Sequence, residues 1–338
     1  MFYKIYEKIK QFIKENYLFL LFYLVLVAVL TYPLPYYIYT GGGLINVSDK
    51  IEFIGKTESS GSYNMCYVSE VKATLPSYLL SYIIPNWERV SKDEVALNSK
   101  ETAKDISTRD KIYLTSSNQG ALLTAFKYAN MDYEILDSNP IVVYVMEEAK
   151  NDFKIGDEII SINNIEINSR EDISDFLSNT NVGDTVSIKV RNNNKEYIRS
   201  ATIIEEDNRK LLGISIEDKI EIKTDPIINF TFSNNESGPS GGLILSLALY
   251  DYLIDEDITK GLKISGTGTI DTYGNVGSIG GVKYKLKGAV KKKSDIFFVP
   301  NGENYEEAIK LKNENDYDID IVGVSNFQEA LNYLKNVK

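Results

Sequence analysis

Hydrophobic positions are densest near the N-terminus, where Tyr17 to Leu30 (YLFLLFYLVLVAVL) are apolar without a break and the run continues through TYPLPYYIY to Tyr39. As one helix this run is long enough to cross a hydrocarbon core of about 30 Å. Pro33 and Pro35 lie near its far end, and Tyr32, Tyr36, Tyr37 and Tyr39 read as an interfacial aromatic belt. Lys4, Lys8, Lys10 and Lys14 precede it, whereas Lys50 and Lys56 are the first positive charges after it. That bias predicts a cytoplasmic N-terminus (1–15), a transmembrane helix (16–40) and a body outside the cell membrane. A cleaved signal peptide is the alternative. No small-residue cleavage site follows the apolar core, so an uncleaved single-pass anchor is favoured. Gly41-Gly42-Gly43 reads as a short flexible exit.

Beyond the anchor the patterning is that of a mixed α+β protein. In the region 41–135, SYNMCYVSEVKATL alternates like a strand. LPSYLLSYIIPNW reads as a short helix stopped by Pro85. QGALLTAFKYANMDYEIL predicts a helix over Gly120–Ala129 and then a strand. Between about Pro140 and Ile204 the texture changes. IVVYVM is a strand, and KIGDEIISINN is a turn, a strand and a second turn. Ser169, with Asp172 three residues on, opens a helix whose one face carries Ile173, Phe176 and Leu177. VGDTVSIKV alternates, with Val186, Ile188 and Val190 on one side. This order, and the phrase GDEIISINNIEINSREDISDFL, resemble a bacterial PDZ domain, here bounded at 136–207. The resemblance implies binding of extended peptides by strand addition.

Composition narrows the chemistry. The 338 residues carry a formal net charge of −11, and 43% are hydrophobic. The acidity lies in the body, because the first fifteen residues are net positive. Such a body argues against nucleic acid as a partner, since binding to phosphates is driven by Lys and Arg. There is no histidine and one cysteine, Cys66. This predicts no metal site, no cofactor and no imidazole-activated thiol. The alternating setting of Cys66, NMCYVSEV, points to core packing.

The strongest candidate for chemistry is SNNESGPSGGLILSLALY, Ser233 to Tyr250. A glycine-rich turn (Gly238, Pro239, Ser240, Gly241) delivers Ser240 to the start of an apolar helix, where free N–H groups and the helix dipole favour an oxyanion. A serine nucleophile needs a base. Without histidine the candidates are a carboxylate or a lysine, and a lysine becomes a base near neutral pH only when burial disfavours its charge. Downstream, ISGTGTIDTYGNVGSIGGVKYKLKGAV is turn-rich strand followed by a helix. Ile279, Val282, Leu286 and Ala289 mark that helix's buried face, which places Lys285 rather than Lys283 near the core.

GPSGG at 238–242, TGTI at 267–270, SIGG at 278–281 and FFVP at 297–300 occur in the order found in the proteolytic domain of the Lon proteases. The resemblance implies a Ser240–Lys285 dyad, Thr267 hydrogen-bonded to the lysine, and an oxyanion hole of backbone N–H groups around Ser240. The chain departs from the family pattern in three places. Gly241 replaces alanine, Ser237 stands where the acidic residue is expected with Glu236 shifted by one, and Thr269 replaces the glutamate of Thr-Gly-Glu-Ile. No G-x-x-x-x-G-K-[ST] phosphate loop is present. Together these features resemble the membrane-anchored, PDZ-containing Lon-like proteases of Gram-positive bacteria. The expectation is an ATP-independent serine endopeptidase acting on extracytoplasmic polypeptides, with a proteolytic domain over 208–338. Because 208–338 is short for that domain, residues near 50–135 are expected to supply missing strands around an inserted PDZ. A non-catalytic PDZ-bearing scaffold is the alternative, and self-association into a homo-oligomer stays open.

Overall fold

The computed structural model describes residues 2–53 and 59–337, so Lys56 lies outside the described residues. Two units can be distinguished, Met1–Thr40 with Ser69–Val95, and Gly41–Val68 with Ala96–Lys338.

In the smaller unit, helix α1 (Phe2–Thr31) has non-helical backbone at Asn16 and is long and apolar enough to cross a membrane. It is followed by strand β1 (Pro33–Asn46). The helix therefore ends eight residues short of Tyr39, correcting the expected 16–40 span. Pro33 breaks the helical path, because its ring and missing N–H are incompatible with a helix interior. Tyr36, Tyr37 and Tyr39 are consequently strand residues, opposite Ser91, Val90 and Glu88. Strand β2 (Ser62–Thr74), helix α2 (Leu75–Leu80) and strand β3 (Glu88–Ser91) complete this unit's elements, β1 and β2 running on into the larger unit.

The larger unit contains helix α3 (Ala103–Ala129), which is much longer than the stretch expected from Gly120. Its first half is polar and carries a buried ion pair: Arg109 Nη1 donates to both carboxylate oxygens of Glu101, at 2.5 and 2.6 Å. Strand β4 (Tyr133–Val145) then opens a second sheet with β5 (Glu158–Ile162), β6 (Thr185–Asn192), β7 (Lys195–Thr202) and β8 (Ile214–Thr224), in the order β8-β4-β5-β6-β7. Helix α4 (Arg170–Ser178) covers it. The Ser169 hydroxyl caps the helix by accepting from the Asp172 N–H at 3.1 Å. Ile173 and Leu177 join Val186, Ile188 and Val190 in one apolar core, as their periodicities predict.

Four strands of the six-stranded site-bearing sheet are β2 and three later ones, β10 (Lys263–Gly266), β11 (Ile296–Pro300) and β12 (Asp320–Val324), numbered after β9 (Ile228–Phe230), which pairs with Ile51–Phe53. All are parallel: Lys263–Gly266 face Ser62–Met65 on one side and, from Ile264, Ile296–Phe298 on the other. Strand alternation separates two cores. Met65, Ile264 and Phe298 pack with α3, α5 (Gly242–Leu253) and α8 (Phe327–Asn336). Cys66, Phe297 and Val299 pack with α6 (Val282–Lys291) and α7 (Glu303–Asn315). Helices cover both faces, so this sheet has little wet surface. Gly41–Gly43 are part of strand β1 rather than a flexible exit. A Cβ on Gly42 would lie 2.7 Å from the Tyr67 carbonyl oxygen, so only glycine permits this approach.

Candidate active site

Ser240 occupies the turn immediately before α5 and is half-buried. Its conformation is fixed from two directions. From α3, the Ser117 hydroxyl donates to the Pro239 carbonyl at 2.7 Å, and the Asp110 carbonyl accepts the Gly238 N–H at 2.9 Å. From the end of β10, the Ser240 carbonyl accepts the Gly268 N–H at 2.8 Å and the Thr267 hydroxyl at 3.0 Å. Gly238 has φ +89°, which a residue with a side chain rarely adopts. Gly241 is close-packed: a Cβ there would lie 2.7 Å from the Met65 sulfur. The glycine in place of the family's alanine therefore makes room for Met65.

Lys285 sits on the first turn of α6, which starts at Gly281 in the left-handed region. Val282, Leu286 and Ala289 bury on one face of this helix and carry Lys285 inward with them. Lys285 is 4% exposed, whereas Lys283 is only half-buried. Its Nζ donates to the Thr267 hydroxyl oxygen at 3.1 Å. Thr267 is fully buried and is itself held by its N–H on the Phe298 carbonyl at 2.9 Å. One hydroxyl thus accepts from the lysine and donates to the serine's main chain. Burial lowers the Lys285 pKa from 10.5 to about 8, because desolvation penalises the ammonium form. Burial also pushes the neighbouring Cys66 thiol up to about 12, making it an inert core residue.

The predicted residues Gly238, Pro239, Ser240, Gly241, Thr267 and Lys285 therefore fall in one place, joined through Thr267. Among the described residues, the Ser240 hydroxyl and the N–H groups of Ser240 and Gly241 have no hydrogen-bond partner. A hydroxyl free to turn, two free N–H donors and a low-pKa amine together form a constellation suited to acyl transfer. Glu236 does not enter it. Its carboxylate is engaged by Lys50 at 2.8 Å and by the Ser233 N–H and hydroxyl.

The profile of the Lon protease C-terminal proteolytic domain matches residues 231–336, and that of the PDZ domain matches residues 120–201. The chain carries a PDZ domain and a Lon-type proteolytic domain. Its Lon-type region is 32% identical over 99 residues to the Lon protease of Campylobacter jejuni, covering 29% of this chain and 12% of that one. It is 32% identical over 95 residues to the Lon protease of Aster yellows witches'-broom phytoplasma, covering 28% and 12%. The chain thus spans about an eighth of the length of these curated relatives. Among solved structures, the PDZ domain of the SdrC-like protein of Listeria innocua is similar at 27% identity, with a TM-score of 0.22, covering 23% of this chain and 92% of that one.

Sequence reasoning missed the contribution of α3 to the Lon-type site. Ser117 and Asp110 hold the 238–239 turn from more than a hundred residues away. The available signal was the run Thr115-Ser116-Ser117-Asn118-Gln119 within a helix, two of whose members, Ser117 and Asn118, are buried. Buried polar side chains inside a helix call for partners elsewhere.

Proposed function

We propose that the chain is a serine endopeptidase in which Ser240 is the nucleophile and Lys285 the general base. The observation that carries this reading is the buried Lys285 amine hydrogen-bonded to Thr267, whose hydroxyl also binds the Ser240 main chain. With a pKa of about 8, roughly a tenth of Lys285 is neutral at pH 7, against less than a thousandth of an ordinary lysine. Neutral Lys285 takes the proton from the Ser240 hydroxyl as its oxygen attacks the scissile carbonyl. The resulting oxyanion meets the N–H groups at the start of α5. The lysine ammonium then gives its proton to the departing amine, and the acyl-serine is hydrolysed by water activated in the same way.

The substrate reading is an extended polypeptide. A groove of about 520 Å³ runs beside the segment leading to Ser240, with apolar walls that include Leu114, Leu122, Ile222 and Phe232. The PDZ domain recruits or gates such chains by strand addition. In this reading the enzyme acts without ATP on segments already unfolded. The Lon-type domain is assembled from both sides of the PDZ domain, with β2 and α3 supplied by the segment before it. α1 is an uncleaved anchor that leaves the catalytic body outside the cytoplasm.

The test is hydrolysis of a fluorogenic peptide and of casein by the full chain, compared with Ser240→Ala and Lys285→Ala across pH. Loss in both variants, with parental activity rising through about pH 8, is the expected result. Loss in Ser240→Ala alone would remove Lys285 as the base. Failure of Ser240 to react with an acylating probe would leave the scaffold reading.

A further inference from the structure

The smaller unit ends in a tip that its own strands leave uncovered. From Thr74 to Trp87 (TLPSYLLSYIIPNW) fourteen residues pass without one charged side chain. Leu79, Leu80, Tyr82 and Ile83 are all exposed, Ile83 with 78% of its surface. Exposure of single apolar residues is ordinary, but an uncharged cluster of four on one turn marks an interaction surface.

Three observations say what covers it. First, the tip is continuous with α1. Leu75, at its root, lines the same apolar groove as Val25, Ala28 and Val29 of the last turns of that helix and Tyr32 just after it. Second, its backbone is self-sufficient. The N–H groups of Ser81, Tyr82, Ile83, Ile84 and Trp87 all donate to carbonyls within the tip, and the Ser77 and Ser81 hydroxyls are bonded to the carbonyls of Thr74 and Tyr78. Internal satisfaction of N–H groups is what a medium without water requires. Third, polar character is arranged at the base. Tyr36, Tyr78 and Tyr82 form a ladder of rings with centroids 5.1 and 5.8 Å apart. The Arg89 guanidinium lies 3.8 Å over the Tyr82 ring and donates to the Ser81 carbonyl and hydroxyl. Tyrosine rings stacked with a snorkelling cation, beside exposed aliphatic side chains, form the profile of a membrane interface.

We propose that residues 75–87 are a second membrane-contacting element, whose Leu79, Leu80 and Ile83 side chains enter the lipid leaflet at the C-terminal end of α1. This rests on α1 crossing the bilayer. The occupant is lipid rather than a second protein chain, because the apolar surface joins that of α1 without an intervening charge.

The experiment uses the full chain reconstituted in phosphatidylcholine–phosphatidylglycerol vesicles, with a nitroxide on Ile83→Cys. The buried Cys66 is expected to stay unlabelled, and the unsubstituted chain checks this. Collisions with oxygen and with a water-soluble nickel chelate are compared with those at Tyr273→Cys, on the exposed surface of the larger unit, and at Leu24→Cys in α1. The expected result is an oxygen-to-nickel ratio at Ile83 several-fold above that at Tyr273, as at Leu24. A Tyr273-like ratio at Ile83 overturns the proposal while leaving the α1 span intact. Shielding from both agents also overturns it and points to a protein contact. A water-like ratio at Leu24 instead refutes the span itself. Trp87, the chain's only tryptophan, gives a check without substitution: lipids brominated near the headgroup should quench its emission, and unchanged emission would count against the proposal.

Discussion

Replacing Lys285 by methionine should abolish hydrolysis and stabilise the protein in a pH-dependent way. A fall in the native pKa from 10.5 to about 8 corresponds to about 3 kcal/mol by which the fold disfavours the ammonium relative to the neutral amine. Below about pH 8 the lysine is protonated in both native and unfolded chains, and the parent bears this cost in full. Between about 8 and 10.5 the unfolded chain binds a proton that the native chain does not, so parental stability climbs with pH. Above 10.5 the cost is gone. Methionine has a similar length and no charge, so Lys285→Met removes the cost at every pH. The variant's advantage should be greatest at pH 7 and shrink by about 3 kcal/mol on approaching pH 10.5, several degrees in melting temperature. The assay is calorimetry of parent and variant over this range. Comparing the two at each pH cancels the titration of all other groups. A stability difference independent of pH would refute the burial argument and, with it, the reason for regarding Lys285 as a base.

Four further outcomes follow from the same contacts. Thr267→Val removes the acceptor of the lysine ammonium, which should lower the Lys285 pKa further, and a pH–rate profile should show the acid limb moving to lower pH with a reduced plateau. Ser117→Ala removes the shorter of two hydrogen bonds to the Pro239 carbonyl and leaves the one from the Gly242 N–H at 3.2 Å; kcat for peptide hydrolysis should fall several-fold, corresponding to about 1 kcal/mol for one lost hydrogen bond, with KM little changed. Glu101→Gln removes the closer carboxylate of the buried Arg109 guanidinium, Asp110 remaining at 3.4 Å, and should cost about 2–3 kcal/mol in denaturant unfolding. Gly241→Ala restores the family's residue at the expense of displacing the Met65 side chain; a folded, active enzyme is expected, with full activity recovered by pairing it with Met65→Ala.

Much of this site was legible because its chemistry is local. Ser240 lies in a turn that its own glycines and proline specify, and Lys285 was singled out by the order of motifs shared with the Lon proteolytic domain, with the apolar spacing of Val282, Leu286 and Ala289 on one helix face in support. The PDZ core was legible for the same reason, through period-2 and period-3.6 patterns in 173–190. What escaped depends on distant partners. The first half of α3 carries few apolar residues, so its helical state rests on capping by Thr102 and on the buried Glu101–Arg109 pair, neither of which has a hydrophobic signature. The extension of the membrane segment to Tyr39 failed because no charge interrupts the apolar and aromatic residues after Pro33, yet the preference of Tyr and Ile is for strand. Gly41–Gly43 looked like a hinge because a glycine needed for close packing against Tyr67 and a glycine used for freedom are identical in sequence.

The parallel pairing of Ser62–Met65 with Lys263–Gly266 has a bearing on when this protein can act. Asn64 and Ile264, joined by a hydrogen bond from the Asn64 side chain, stand 200 positions apart, and closing so distant a pairing is slow compared with local structure. During synthesis the β2 strand and α3 emerge long before their partners. The PDZ sheet between them can close on itself, since its first and last strands end opposite each other at Tyr133 and Thr224. The last segment to arrive, beyond residue 263, brings both Thr267 and Lys285. A nascent chain thus holds the Ser240 turn before Thr267 and Lys285 have arrived, and under the proposed dyad its hydrolysis waits until the whole body has left the ribosome and folded.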